Sequence, residues 1–111
     1  TFIDAECQLQ DINLDLVQQI SMLAPFGCDN PEPILCVRNI RASSPSVVGN
    51  NHLKMHLVSN EASCNAIWFG MGKYLGAVNG ANIDVVFSPQ MNYWNGSSDI
   101  QLKLKDATIL S

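Results

Sequence analysis

Charged residues are scarce in this chain and make up 14% of its 111 residues. Only six of them are lysine or arginine, and the formal net charge is −4. Proteins that bind nucleic acid through charge usually show a basic excess, so composition alone argues against that class of function. The distribution of charge weakens this objection, because all six basic residues come after residue 33. The charged residues within residues 1–24 are all acidic, namely Asp4, Glu6, Asp11 and Asp15.

Long apolar runs are also missing. No run approaches the ~18 consecutive apolar residues that a membrane-spanning helix needs, and no signal peptide opens the chain. We therefore expect a cytoplasmic protein with no membrane partner. Hydrophobic residues still make up 47% of the chain, which is typical of one globular domain. Because Thr1 stands where a methionine would begin a complete chain, we expect a fragment of a longer protein.

The sequence contains no cluster of residues that indicates catalysis or metal binding. His52 and His56 have no further ligands at metal-site spacing, so solvent-facing strand positions are favoured for them. Aspartates occur singly, whereas a two-metal nuclease centre needs clustered carboxylates and histidines. We expect no catalytic residue, no metal site and no cofactor in this chain. The four cysteines are Cys7, Cys28, Cys36 and Cys64, and none of them form a C-x-x-C pair. Free thiols are favoured over disulfides for them.

Residues 70–76 match the pattern G-x-G-x-x-x-G after a predicted strand, which raises the alternative of a dinucleotide-binding turn. The unit over residues 66–87 is shorter than the ~30 residues of a βαβ crossover, and no acidic residue ends its second strand. A glycine-rich segment that leads into a short helix is the favoured interpretation.

The first part of the chain predicts a short strand over residues 2–7 and one amphipathic helix. Asn13 is a suitable N-cap, and Ile12 and Val17 have the spacing of a hydrophobic staple. Apolar residues then repeat at helical spacing to about residue 23. Three prolines over residues 23–33, here called the connector, stop the helix, and Gly27 suits a left-handed cap or a turn. We therefore divide the chain into a lead-in, residues 1–24, and a barrel, residues 25–111.

Five strands are predicted after the connector, with a short helix over residues 70–78 between the third and the fourth. They cover residues 34–42, 52–57, 65–69, 83–87 and 100–105. Three breaks are also predicted: a loop over residues 43–46, the end of the fourth strand at Pro89, and an aromatic hairpin loop over residues 91–98. This order is that of a five-stranded OB-fold barrel, so the predicted fold class is mainly β.

Candidate nucleic-acid contacts are spread over the outer strand faces and the last hairpin. OB folds bind single strands through cations that contact phosphates and aromatic rings that stack on bases. The candidates are Arg38, Arg41, His52, Lys54, His56, Tyr93, Trp94, Lys103 and Lys105. The alternative is that the aromatic residues belong to the core and the lysines to a solvated face. For Trp68 the core is favoured, whereas for Trp94 the sequence does not decide.

The chain resembles the RecJ family of bacterial single-stranded-DNA-specific exonucleases at five places in order. The family pattern Leu-Ala-Pro-Phe-Gly-x-Gly-Asn-Pro-Glu-Pro corresponds to the connector, with Asp29 in place of glycine as the one departure. The other similar segments are residues 3–6, 52–55, 66–70 and 92–96, together with Gln101, Leu102 and Asp106.

This resemblance implies the C-terminal OB-like domain of an enzyme that degrades single-stranded DNA from the 5′ end in DNA repair and recombination. It implies Mg²⁺ or Mn²⁺ in DHH and DHHA1 domains outside this chain, which itself lacks the Asp-His-His motif. The implied partners are single-stranded DNA and those two domains, and a single-stranded-DNA-binding protein stays open as a third. An alternative hypothesis is a structural or protein-interaction domain of the same enzyme with no direct DNA contact.

Overall fold

The computed structural model describes residues 3–27 and 29–111, and at Trp94 it describes the backbone alone. Short 3-10 turns at Leu9–Asp11 and Gly72–Tyr74 precede the two helices. No helix in these two ranges is long and apolar enough to cross a membrane. The helices and strands are β1 (Ala5–Glu6), α1 (Leu14–Ser21), β2 (Leu35–Val48), β3 (His52–Val58), β4 (Ser63–Trp68), α2 (Leu75–Val78), β5 (Asn82–Trp94) and β6 (Ser97–Ile109).

Five of the strands close into a barrel. Neighbouring strands pair in the order β2, β3, β4, β6 and β5, and β5 pairs back to β2. The β4 and β6 strands are parallel, and the other pairs within the barrel are antiparallel. The short helix α2 lies between the third and fourth barrel strands, as in an OB fold. The predicted mainly-β OB-fold barrel, preceded by a short strand and a helix, is confirmed.

Alternation along the strands separates the core from the surface. On β3, Leu53, Met55 and Leu57 are buried, whereas Lys54 and His56 between them are exposed. The same period of two places apolar residues of β5 and β6 inside the barrel. Burying one such large apolar side chain stabilises the fold by about 1.5–3 kcal/mol. The largest fully buried side chains include Phe87, Ile83, Leu102 and Val85.

The lead-in packs on the barrel and belongs to the same core. The Oδ1 atom of Asn13 accepts a hydrogen bond from the amide of Leu16 at 2.9 Å, which confirms the predicted N-cap. Ile12 and Val17 are both buried in the core cluster. The helix α1 ends at Ser21, two residues before the predicted end near residue 23. The predicted boundary between residues 24 and 25 stays a prediction.

Strand β1 is shorter than predicted. It covers Ala5–Glu6, within the predicted residues 2–7, and Phe2 lies outside the described residues. Ala5 pairs in parallel with Leu35 of β2.

The connector folds back as a turn. Gly27 and Asn30 exchange two backbone hydrogen bonds, at 2.9 and 3.2 Å. The Nδ2 atom of Asn30 donates to the carbonyl oxygens of Leu23 and Pro25. Gly27 does not have a positive φ, so the turn is observed rather than the left-handed cap. Cys28 lies outside the described residues.

The predicted loop over residues 43–46 was wrong, because these residues continue β2. Ser43 pairs with His56 and Ser46 pairs with Lys54, so β2 contains one residue more than β3 over this stretch. This is a β-bulge, and Ser44 within it has a φ of 51°. A bulge accommodates Pro45, which cannot donate to the strand ladder. Loop-like composition therefore marked an irregular strand.

The predicted end of the fourth strand at Pro89 and the predicted loop over residues 91–98 were also wrong. Strand β5 continues to Trp94 and stays paired with β6 up to the pair Trp94 and Ser97. Asn95 and Gly96 form the two-residue turn with φ values of 47° and 78°, the type I′ combination that suits a hairpin. Pro89 is tolerated because the pairing of β2 with β5 has already ended at Phe87.

Candidate nucleic-acid interface

Three neighbouring barrel strands share one outer face. Lys54 of β3 pairs with Ile67 of β4, and Ile67 pairs with Lys103 of β6. Because paired residues point to the same side of a sheet, these three side chains form a row across the strands. Strand spacing of about 4.8 Å puts the two lysine backbones about 10 Å apart. We call Lys54, Ile67 and Lys103 the lysine row.

Neither lysine of the row forms an ion pair with a residue that the structure describes. Within residues 3–27 and 29–111, Arg38 and Lys105 are the only basic residues that form ion pairs at N···O distances up to 4.0 Å. Lys54 and Lys103 can therefore contact a phosphate without first losing a carboxylate partner. The row combines two available positive charges with an apolar side chain between them.

An aromatic ring lies beside this row. Phe69 follows β4, and 48% of its surface is exposed. Its ring centroid lies 4.9 Å from that of His52, with an angle of 74° between the rings. The Nζ atom of Lys103 lies 5.7 Å from the centre of the Phe69 ring, within the range of a cation–π contact. We call Phe69, His52 and Lys103 the Phe69 cluster.

Sequence reasoning did not select Phe69 as a site residue, although a signal was present. Ala66 and Trp68 are buried, so alternation along β4 puts Ile67 and then Phe69 on the outer side. The core interpretation of Trp68 is confirmed, since only 7% of it is exposed and its ring stacks on that of Tyr74 with centroids 5.4 Å apart.

Three hydrogen bonds join the segment after Phe69 to the beginning of β3. The amide of Gly70 donates to Nδ1 of His52 at 3.0 Å, and Nδ2 of Asn51 donates to the carbonyl oxygen of Gly70 at 3.3 Å. The amide of Gly72 donates to the carbonyl oxygen of Asn51 at 2.9 Å. Gly70 has a φ of 75°, a conformation that glycine adopts readily. The glycine pattern therefore shapes this junction and leads into a short helix, as favoured from the sequence.

His56 lies further along the outer face of β3, and Arg41 lies on the neighbouring strand β2. His56 pairs with Asn65, whose Nδ2 atom donates to Oδ2 of Asp99 at 3.0 Å. Arg41 pairs with Val58 at the far end of β3, six residues or about 20 Å from His52. Both therefore share the outer face with the lysine row but lie outside the Phe69 cluster.

Arg38 is engaged with carboxylates elsewhere. Its Nε atom lies 2.6 Å from Oε1 of Glu6, and its Nη1 atom lies 3.7 Å from Oδ2 of Asp84. The hydrogen bond with Glu6 is the main reason that the pKa of Arg38 is raised. The structure does not bring Arg38 into the Phe69 cluster.

Lys105 also has a carboxylate partner. Its Nζ atom lies 2.6 Å from Oε1 of Glu32, and more than two thirds of each side chain is buried. This hydrogen bond lowers the pKa of Glu32, burial acts in the opposite direction, and the charges of Lys105 and Lys103 lower it further. Lys105 would have to leave Glu32 before it could contact a phosphate.

The two aromatic candidates of the last hairpin lie near its tip. Tyr93 is 71% exposed and lines a cleft of about 340 Å³ between the connector and β5. The backbone of Trp94 pairs with Ser97, while its side chain lies outside the described part of the chain. Contact of either residue with DNA stays a prediction.

Comparison with known families decides which protein family has this barrel. The family model of the RecJ OB domain matches residues 3–106. This chain belongs to the RecJ OB domain family. The single-stranded-DNA-specific exonuclease RecJ of Bacillus subtilis is 31% identical to it over 110 residues. The aligned region is 96% of this RecJ OB domain chain but only 14% of the length of that relative.

Solved structures agree with the fold of this RecJ OB domain. RecJ from Thermus thermophilus in complex with Mn²⁺ matches with a TM-score of 0.65 and 20% identity, over 84% of this chain and 13% of that one. A putative aspartyl-tRNA synthetase from Leishmania major matches with a TM-score of 0.54 and 16% identity, over 86% and 25% of the respective chains. At these identities the likeness shows the fold alone.

Proposed function

We propose that this RecJ OB domain binds single-stranded DNA on the outer face of β3, β4 and β6. It would serve as the C-terminal domain of a 5′-to-3′ exonuclease that acts in DNA repair and recombination. The observation that carries the proposal is the lysine row, in which two lysines without carboxylate partners in the described residues share one face. OB folds use the face formed by their second and third strands to bind oligonucleotides. Those strands are β3 and β4 here.

Binding would depend on local rather than net charge. A lysine that contacts a phosphate releases condensed counterions, and the logarithm of the affinity then falls with the logarithm of salt concentration. For a single strand the slope is about −0.7 for each phosphate contacted. The net charge of −4 opposes binding at long range, but salt screens charges beyond about 10 Å at 0.1 M. Lys54 and Lys103 act within that distance.

The proposal also includes cleavage of the DNA strand, which other domains of the parent chain would carry out. We assign hydrolysis to the DHH and DHHA1 domains, with Mg²⁺ or Mn²⁺ as their metal, and strand capture to the domain described here. A cytoplasmic location and a single-stranded-DNA-binding protein as a further partner are proposed on the same family grounds.

Fluorescence anisotropy of a labelled oligothymidylate between 50 and 200 mM salt tests the proposal. Lys54→Gln and Lys103→Gln should each reduce the magnitude of the salt slope by about 0.7. The matched control is Arg38→Gln, which removes the same charge away from this face and should leave the slope unchanged. A slope that is the same in the double lysine variant and in the wild type would contradict the proposal.

The alternative function is a structural or protein-interaction domain with no direct DNA contact. The cleft beside β5 supports it, because apolar side chains line that cleft and two of them, Phe26 and Tyr93, are exposed. This alternative predicts that the wild-type chain does not bind the oligothymidylate even at 50 mM salt.

A further inference from the structure

We infer that Phe69 is the platform on which one unpaired nucleobase of the bound strand stacks. This inference rests on the proposed function, because it needs a single strand on the outer face of β3, β4 and β6. It adds a second kind of contact, since the lysine row addresses phosphates whereas an aromatic ring addresses the face of a base. Stacking tolerates any sequence, because every base has a π-face.

The first support for this inference is where the ring lies. Phe69 is half exposed at a position where alternation directs it outward, next to Lys103 of the lysine row. The ammonium group of Lys103 lies 5.7 Å from its centre. A nucleotide placed here would meet a cation at its phosphate and an apolar ring at its base. Both features of single-strand recognition therefore occur within one cluster.

The second support is that the ring is held in place before any ligand arrives. His52 contacts the ring, and its Nδ1 atom accepts the amide hydrogen bond of Gly70, the residue that follows Phe69. Asn51 holds both the Gly70 carbonyl and the Gly72 amide. Because this segment is already ordered, less conformational entropy is lost when a base binds.

The other exposed aromatic rings lack this combination. Among the side chains that the structure describes, lysine ammonium groups lie over only two rings, those of Phe69 and Tyr74. Tyr74 is partly buried and stacks on Trp68. Tyr93 is more exposed than Phe69 but has no such cation over it. Phe69 is therefore the ring that the geometry selects.

Substitution of the ring separates stacking from charge. Phe69→Leu keeps an apolar side chain but removes the π-face, so we expect the Kd for oligothymidylate to rise about 5- to 150-fold. The salt slope should not change, because no phosphate contact is lost. Phe69→Trp should bind at least as tightly as the wild type. Phe26→Leu is the matched control, because it makes the same change at an exposed ring in the cleft beside β5, and it should leave the Kd within about twofold.

A strand that lacks bases provides the decisive comparison. An abasic oligonucleotide of the same length should bind the wild-type chain more weakly than oligothymidylate, and Phe69→Leu should then cause no further loss. Circular dichroism and thermal unfolding of each variant show that the barrel is intact. An equal loss on both strands would overturn the inference, because the effect would not involve a base.

The two proposals fail in different ways. If the lysine variants lower the salt slope but Phe69→Leu leaves the Kd unchanged, stacking on Phe69 is refuted while DNA binding by this face stands. If the wild type binds no oligothymidylate at 50 mM salt, the proposed function is refuted and the inference fails with it.

Discussion

The backbone amide of Gly72 donates a hydrogen bond to the carbonyl oxygen of Asn51 at 2.9 Å, and an added Cβ on Gly72 would overlap Oδ1 of the same asparagine. Asn51 lies in the turn before β3, and Gly72 lies in the segment after β4. The close approach joins the two segments and holds Phe69 beside β3. The φ of Gly72 is not positive, so its backbone conformation does not require glycine. Glycine is required here because there is no space for a Cβ atom.

Replacement of this glycine should destabilise the fold. In Gly72→Ala the asparagine must move and lose its bond to Gly70, so we expect the free energy of unfolding to fall by about 1–2 kcal/mol. Gly76→Ala is the matched control, because a Cβ at that position in α2 meets no atom within 4 Å. It should be neutral or stabilising by up to about 1 kcal/mol. Urea unfolding of both variants checks this, and equal stabilities would show that the close approach does not matter.

The ion pair of Glu32 and Lys105 should make stability depend on pH. Because the pKa of Glu32 is lowered in the folded state, its contribution is present above the unfolded pKa, about 4.3, and is lost as pH falls through the folded value. Glu32→Gln should therefore lower the free energy of unfolding at pH 7 by about 0.5–1 kcal/mol, and the difference should vanish near pH 3.

Unfolding by urea at pH 7 and pH 3 measures this effect. Glu61→Gln is the control, because Glu61 is exposed and makes no ion pair within the described residues. If Glu32→Gln lowers the free energy of unfolding by the same amount at both pH values, packing rather than charge stabilises the fold at this position.

The thiol of Cys64 should be unreactive in the folded protein. Burial raises its pKa to about 11, and the negative charge of Asp99 adds to the shift. At pH 8 the reactive thiolate is then about a hundredfold rarer than for a thiol with a pKa of 9.0. Iodoacetamide should modify Cys64 about a hundredfold more slowly in the native chain than in urea, as measured by mass spectrometry.

Asp99→Asn is the informative variant for this thiol. It removes the charge but leaves the burial, so the alkylation rate should rise only part of the way toward the unfolded rate. Equal rates in the native and the unfolded chain would contradict the raised pKa.

Cys7, Cys36 and Cys64 are all free thiols in the described residues, as the sequence favoured.

Local patterns in the sequence were enough to predict the barrel and its order. The alternation of Leu53, Met55 and Leu57 with polar residues requires a strand with one buried face, whatever lies beside it. Asn13 caps α1 through contacts within one turn of helix. Such features depend on residues a few positions apart, so the sequence contains all the information they need.

Two of the wrong predictions are strand breaks at prolines. Proline usually interrupts a strand, but the pairing of neighbouring strands can make room for it. Pro45 lies in a bulge, and Pro89 lies where the pairing of β2 with β5 has ended. Either proline is compatible with a strand under these conditions, but the conditions depend on which strands pair.

By itself, the sequence determined the fold class, the family motifs, the buried faces of the strands and the set of basic residues. Only the tertiary structure decided which basic residues are available, because an ion pair such as Lys105 with Glu32 joins residues far apart along the chain. It also decided that Lys54 and Lys103 share one row and that Phe69 lies beside it. Strand register sets these neighbours, and register results from closing the whole barrel rather than from any short segment.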